Sequence, residues 1–304
     1  MTTTTIPRQS GASEIGYDLT RRRRRTGDVL FRLALQACLV IAFVFLALLI
    51  GYAVYRGWSR LDSRLWTNMP SGLRSRMDES GVQSAITGTI WVISLTAVFC
   101  LPTGILGAIY LEEYADNTKW YNRFLEVNIQ NLAGVPSIVF GILGLGLIAR
   151  TLGLGFSIIT ASIVLSLLVL PVVIIATREA IRAVPNSIRQ GSYALGATKW
   201  QTIWRQVLPA AIPGIATGSI LALSRAIGEA APLLLLGASS FVAFNPDDIR
   251  DRFTVLPITI YNLMRSPHEE LQALGWAAIV MLLGILLVMN SAAILIRNRF
   301  SKRR

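Results

Sequence analysis

The sequence predicts an all-α membrane protein with six transmembrane helices and both termini on the cytoplasmic side. Three observations carry this. Hydrophobic residues make up 53% of the 304 residues and charged ones only 15%, where a soluble domain carries about a quarter. Apolar runs of about 20 residues, enough to cross a hydrocarbon core of roughly 30 Å, recur along the chain. The basic residues behind the net charge of +12 sit in short segments between these runs and in the tails.

Residues 1–28 read as a cytoplasmic basic tail. Met1 to Thr20 is rich in Thr and Ser without periodicity, and Arg21 to Arg25 follow. The first span is expected over residues 29–55. It exceeds the roughly 7 to 15 apolar residues of a cleaved secretory peptide and lacks a small-x-small cleavage site, so it reads as retained. Residues 56–80 form an external loop that nonetheless holds Arg56, Arg60, Arg64, Arg74 and Arg76. These admit two readings, an ordinary solvated loop or a basic patch for an acidic partner. The second span is expected from Gly81 to Leu111, a mixed-charge cytoplasmic loop from Glu112 to Asn128, and the third span from Asn131 to Arg150. Span four follows from Leu154 to Thr177, span five from about Ile212 to Ala238, and span six from Leu274 to Arg297. With the amino terminus inside, the basic residues of inner segments outnumber those of outer ones by roughly two to one, as the positive-inside rule requires.

Composition also excludes. The basic residues are too dispersed for a nucleic-acid surface, Cys38 and Cys100 lie in apolar runs as reduced thiols, and His268 is the one histidine. No metal site, cofactor or catalytic residue is expected. The chain contains no G-x-x-x-x-G-K-[ST] phosphate loop, so ATP hydrolysis would have to come from a separate subunit.

Between spans four and five lies a polar interval, residues 178–209. Glu179 to Ile181 open a helical pattern, Pro185 interrupts it, and Asn186 or Ser187 could cap a second helix through Leu195. Gly196 breaks that run, Lys199 to Val207 reads as further helical turns, and Pro209 is expected to end them. The interval could be a solvated loop that fixes topology, or a folded segment touching a soluble partner. Its wording resembles the cytoplasmic coupling loop of ABC importer permeases: EAA, three residues, Gly, nine residues, I-x-L-P. With that Gly on Gly196, the EAA triplet falls on Gln190, Gly191 and Ser192 and the closing tetrad on Gln206 to Pro209. Gly, Leu and Pro match, whereas Gln190 and Gln206 replace the family's Glu and Ile. The resemblance implies a type I importer permease core over residues 81–304, with ATPase coupling through Gln190, Gly191, Ser192, Tyr193, Ala194, Leu195, Gly196, Ala197, Lys199 and Trp200.

Two further stretches bear on transport. Asn131 to Gly141 (NLAGVPSIVFG) places Gly134, Pro136, Ser137 and Gly141 together, either for close helix packing or because Pro136 and Ser137 break a helix beside a substrate route. Span five carries Arg225 and Glu229, four residues apart and able to pair. An Arg near a span's midpoint costs about 2.5 to 3.5 kcal/mol even on a lenient scale. The pair is therefore either a self-neutralising structural tie or part of an anion pathway. Gly214, Gly218 and Ala222 repeat at the interval that lets helices approach closely.

The strings NLAGVPSI and RAIGEAAPL resemble the permease subunits of phosphate ABC importers, and that resemblance extends from about Gly81 to the end. It implies Arg225, Glu229, Ser137 and Pro136 as substrate-pathway residues in a bacterial plasma membrane. It implies as partners a second permease subunit, an ATPase dimer and an external phosphate-binding protein. The alternatives are a permease for sulfate, molybdate or tungstate, or an ion-coupled carrier, which would more often show an inverted internal repeat; none is seen between the halves.

Overall fold

A computed structural model describes residues 26–71, 74–116, 118–238 and 242–301, and these form helices, turns and loops with no strand among them. The tail over residues 1–25, with its arginine run, lies outside the described residues. The chain divides into two units, up to Ile50 and from Gly51 onward. Described residues of the first unit all belong to α1 (Thr26–Gly57), whose residues 27–50 are exposed throughout. A helix that is apolar all round and shows that surface outward suits lipid.

In the second unit, Tyr52 meets Trp276 edge to face at 5.2 Å. The segment after α1 contains 3₁₀ turns at Trp58–Arg60 and Arg74–Glu79 around α2 (Arg64–Thr67). Arg60 donates to the carbonyls of Met77, Asp78 and Ser80 at 3.2, 2.6 and 2.7 Å, so this member of the arginine-rich loop braces backbone. α3 (Gln83–Ile109) follows and ends in a π turn, Tyr110–Tyr114.

Where a mixed-charge loop is expected, the chain forms α4 (Trp120–Ala133). Its charges interrupt the hydropathy but keep helical spacing: Asn122, Glu126 and Ile129 turn inward, and Trp120, Phe124 and Val127 turn outward. α5 (Ser137–Leu143) continues through the π-helical stretch Gly144–Thr151 and is bent by 106° from α4. The third span is therefore shorter than the expected Asn131 to Arg150, because Gly134 to Pro136 break the helix.

α6 (Ile158–Arg182) is the most buried span. It lies against α3, where Ser162 Oγ donates to the Val92 carbonyl at 3.1 Å and Ser166 Oγ to that of Thr96 at 3.2 Å. Such hydroxyl ties and small residues replace the missing hydrophobic drive between helices in lipid. After α7 (Asn186–Ala194) and α8 (Lys199–Thr202), a π turn at Ile203–Val207 leads straight into α9 (Leu208–Gly228). Pro209 does not end the helix. The Leu208 N–H reaches back five residues to the Ile203 carbonyl, and this wider turn absorbs the donor a proline lacks.

Span five, expected to run to Ala238, stops at Gly228. Glu229 is extended (φ −77°, ψ 110°), and α10 (Ala231–Leu235) starts anew. The chain then crosses beside the start of α6, where the Ile158 and Ile159 N–H groups donate to the carbonyls of Asp251 and Ile249. In that loop the backbone N–H groups of Asp248 and Asp247 hold the Asp251 carboxyl below its usual range. α11 (Leu256–Met264) and α12 (Glu269–Ser301) complete the fold. Among the described residues five helices are long and apolar enough to span a membrane, or six if the bent α4–α5 pair counts as one.

Candidate functional site

Two helix breaks interrupt the spans, one before α5 at Pro136 and one after α9 at Glu229. α9 runs antiparallel to α6 with Gly214 against Ala180 and Gly218 against Ala176; a Cβ on either glycine would come within 2.7 or 2.4 Å of the facing alanine Cβ. The same register carries Ala222 and Ala226 into a cluster with Val173, Val169 and Cys100. Since α6 spans Ile158–Arg182, Ala226 lies close to its midpoint. Arg225 is thus on the last turn of its own helix yet halfway along the neighbouring span.

Arg225 Nε donates to Glu229 Oε1 at 3.3 Å; the Arg side chain is 55% exposed and the Glu 18%. Glu229 is the residue that caps α9, so the pair joins a helix end to the break rather than two positions of one helix. Beside it, Ser224 Oγ donates to Asn290 Oδ1 at 2.6 Å, tying α9 to α12. α10 runs beside α5, with Pro232 against Gly141 and Leu236 against Gly144. Pro136, extended at φ −56° and ψ 136°, stands immediately before α5. Pro136 is exposed and Ser137 half-buried. Irregular backbone at this depth is tolerated where it lines a cavity or is covered by protein.

The second constellation is the polar interval between α6 and α9. α7 and α8 form a helical hairpin closed by a Schellman turn: the Gly196 N–H donates to the Tyr193 carbonyl at 2.9 Å and the Ala197 N–H to that of Ser192 at 3.2 Å. Gly196 has φ +79°, which L side chains rarely adopt. Thr198 and Gln201 then form a capping box that starts α8, and Ser192 and Thr202 share a hydroxyl hydrogen bond of 2.8 Å across the hairpin. The tip is left outward. Leu195 is 89% exposed, Trp200 61% and Tyr193 44%, while Gln190, Gly191, Ala194 and Lys199 are also exposed. Trp200 stacks on Trp204, and Lys199 sits over the Tyr114 ring. Ser192 and Ala197 are half-buried beside a concavity of about 480 Å³ that Gly191, Leu195, Gln201 and Arg205 help line.

A bracket holding this hairpin escapes sequence reading. Arg189, on α7, donates to Glu113 Oε1 at 2.8 and 3.2 Å, to the carbonyls of Val184 and Ile181, and to Asn186 Oδ1. It thereby ties α7 to the end of α3 and to the carbonyl end of α6. Arg178 bridges Glu112 and Glu126, and Arg182 reaches Glu112 and Glu179. The signal was present as two adjacent acids closing span two and, in the polar interval, Arg178, Arg182 and Arg189, but nothing local pairs residues 76 positions apart.

The turn makes a direct test. Replacing Gly196 by Ala puts a side chain in left-handed backbone at a cost of about 1 to 2 kcal/mol, although no atom stands within 4 Å of the new Cβ. Gly191 also has open space but is helical, so Gly191→Ala should gain up to about 1 kcal/mol. Limited proteolysis of the hairpin is expected to speed up in Gly196→Ala and slow down in Gly191→Ala; equal rates would refute the conformational account.

Antiparallel spans broken at mid-depth, with a folded hairpin presented between two of them, define a membrane permease. Residues 102–302 match the family described as binding-protein-dependent transport system inner membrane component. The chain belongs to that family, and it is a multi-pass plasma-membrane protein with a type I ABC importer permease fold. It is similar to the phosphate transport system permease protein PstA 1 of Mycobacterium tuberculosis, 36% identical over 287 residues, covering 94% of this chain and 92% of that protein. It is also similar to the PstA permease of Yersinia pestis, 32% identical over 269 residues, covering 88% of each. A crystal structure of a bacterial ABC transporter involved in import of the acidic polysaccharide alginate shares the fold, with a TM-score of 0.60 at 17% identity, covering 90% of this chain and 98% of that one.

Proposed function

We propose that this chain is the transmembrane permease subunit of an ATP-driven phosphate importer. In this reading it forms the anion pathway with a second, PstC-like permease. It is driven by a dimer of PstB-like ATPases docked on the α7–α8 hairpin, and it receives phosphate from an external PstS-like binding protein. The observation that carries the reading is the Arg225–Glu229 pair at a helix break halfway across the membrane, with the Arg more than half exposed. An intramembrane cation open to the surface of its own subunit suits a route shared with a neighbour. Pro136 and Ser137 are assigned to the same route, and the relatives named as phosphate permeases support phosphate as the substrate. The protein moves its cargo by alternating helix packings; the ATPase supplies the chemistry.

The test is uptake of radiolabelled phosphate by cells holding ATP constant. Uptake should survive an uncoupler and be competed by unlabelled phosphate but not by sulfate, molybdate or tungstate. Collapse with the uncoupler would make the protein an ion-coupled carrier, and competition by another oxyanion would reassign the substrate.

A further inference from the structure

α4 has no counterpart in the transport reading. It packs by one face only: Asn122 donates to the Asp116 carbonyl and meets the Tyr110 hydroxyl, Glu126 pairs with Arg178 at 2.9 Å, and Ile129 joins the cluster around Ala108, Leu111 and Ile174. On the opposite face Trp120 is 78% exposed, Phe124 59% and Val127 46%. Arg123 and, at the helix start, Lys119 are exposed beside them, while the one acid of α4 is the paired Glu126.

Orientation decides what covers this face. α5 and its π-helical continuation share a cluster with α6 through Phe140 and Ile148, Gly144 meets Val164, and the pair therefore follows α6 roughly along the membrane normal. α4 is turned from α5 by 106°, close to perpendicular, and so lies near the membrane plane. Its depth is set by Glu126 on Arg178, one turn from the cytoplasmic end of α6.

A helix in the membrane plane with Trp and Phe on one strip and Lys and Arg at its edge is built for the headgroup boundary. The rings and stems enter the acyl region, and the cations meet anionic lipid. We propose that the Trp120–Phe124–Val127 face of α4 rests in the cytoplasmic lipid leaflet, with Lys119 and Arg123 contacting acidic headgroups, as an anchor that holds the start of α5 at its depth.

The assembled importer tests this in vesicles. On a Cys38→Ser, Cys100→Ser background, a fluorophore is attached at Phe124→Cys and, as a deep reference, at Leu287→Cys on the exposed side of α12. Lipids brominated high on the acyl chain should quench the label at 124 more than lipids brominated near the chain end, with the reverse order at 287. A label at 124 untouched by either lipid would mean that a protein subunit covers the face, and the proposal would be wrong. In a second arm, raising the share of anionic phosphatidylglycerol should increase transport by the parent protein, and Lys119→Gln with Arg123→Gln should flatten that rise. An unaltered lipid response would remove the basic residues from the contact.

Discussion

Arg225→Gln is expected to abolish phosphate uptake while the complex still assembles. Moving a carboxylate-sized ion from water into a dry interior has an idealised cost of order 20 kcal/mol, so the route must supply water, positive charge or both. Arg225 supplies charge at mid-depth, beside the break at Gly228 to Ala230. A lone cation would bind too tightly to release, and conduction needs sites weak enough to leave. In the proposed route Glu229, 3.3 Å away, would relieve this by occupying the guanidinium when no anion is there. Arg225→Lys should retain partial uptake, because the charge survives and the planar fork does not. Glu229→Gln should slow transport, with release now the hard step. The readout is initial uptake and subunit stoichiometry in one membrane preparation. Loss of the Gln variant from the complex would make the pair a structural tie, and normal transport would end its pathway role.

The second large effect is expected at Arg189. Its side chain is 15% exposed and that of Glu113 8%, so Arg189→Gln leaves a nearly buried carboxylate without its partner. Breaking such a pair costs about 3 to 5 kcal/mol, enough to free α7 from the end of α3. ATPase stimulation by transport substrate should fall at least tenfold while basal hydrolysis persists, since a tenfold change needs only about 1.4 kcal/mol. Combining Arg189→Gln with Glu113→Gln removes the orphan charge and should restore much of the stimulation. Exchanging the two residues should not, because Arg189 also serves the Ile181 and Val184 carbonyls. Full stimulation in the single variant would show that the bracket does not matter to coupling.

Much of this architecture can be read from the chain before any coordinates. Apolar runs mark the spans because lipid imposes length, and the helix–Gly–helix pattern around Gly196 marks the hairpin because left-handed backbone favours glycine. The departures share a cause. α4 was hidden by Arg123 and Glu126, whose charges look like loop until Arg178 arrives from 52 residues away. The end of α9 was hidden because AAPLLLL stays apolar across the break, and hydropathy cannot see a change of backbone direction. Pro209 misled because the compensating donor shift lies upstream, in the turn at Ile203–Val207. Arg189 was invisible as a bracket for the same reason as α4: a long-range ion pair has no periodicity.

The glycine and alanine seam between α6 and α9 has a mechanical consequence. Where large side chains interlock, one helix can shift along another only by lifting out of its holes and choosing new rotamers. Gly214 on Ala180 and Gly218 on Ala176 present almost nothing to lift over, so at these two steps the seam resists sliding less than interlocked large side chains do, while Ile181 and Ile215 pack alongside it. The helix that rides on it is unbroken from Lys199 to Gly228, a rod that reaches about 39 Å from Lys199 to Arg225 at the usual rise per residue. On the proposed reading, a push delivered to its foot at the hairpin would arrive at the arginine as a displacement of the same direction. Stroke and anion site would then be the two ends of one lever.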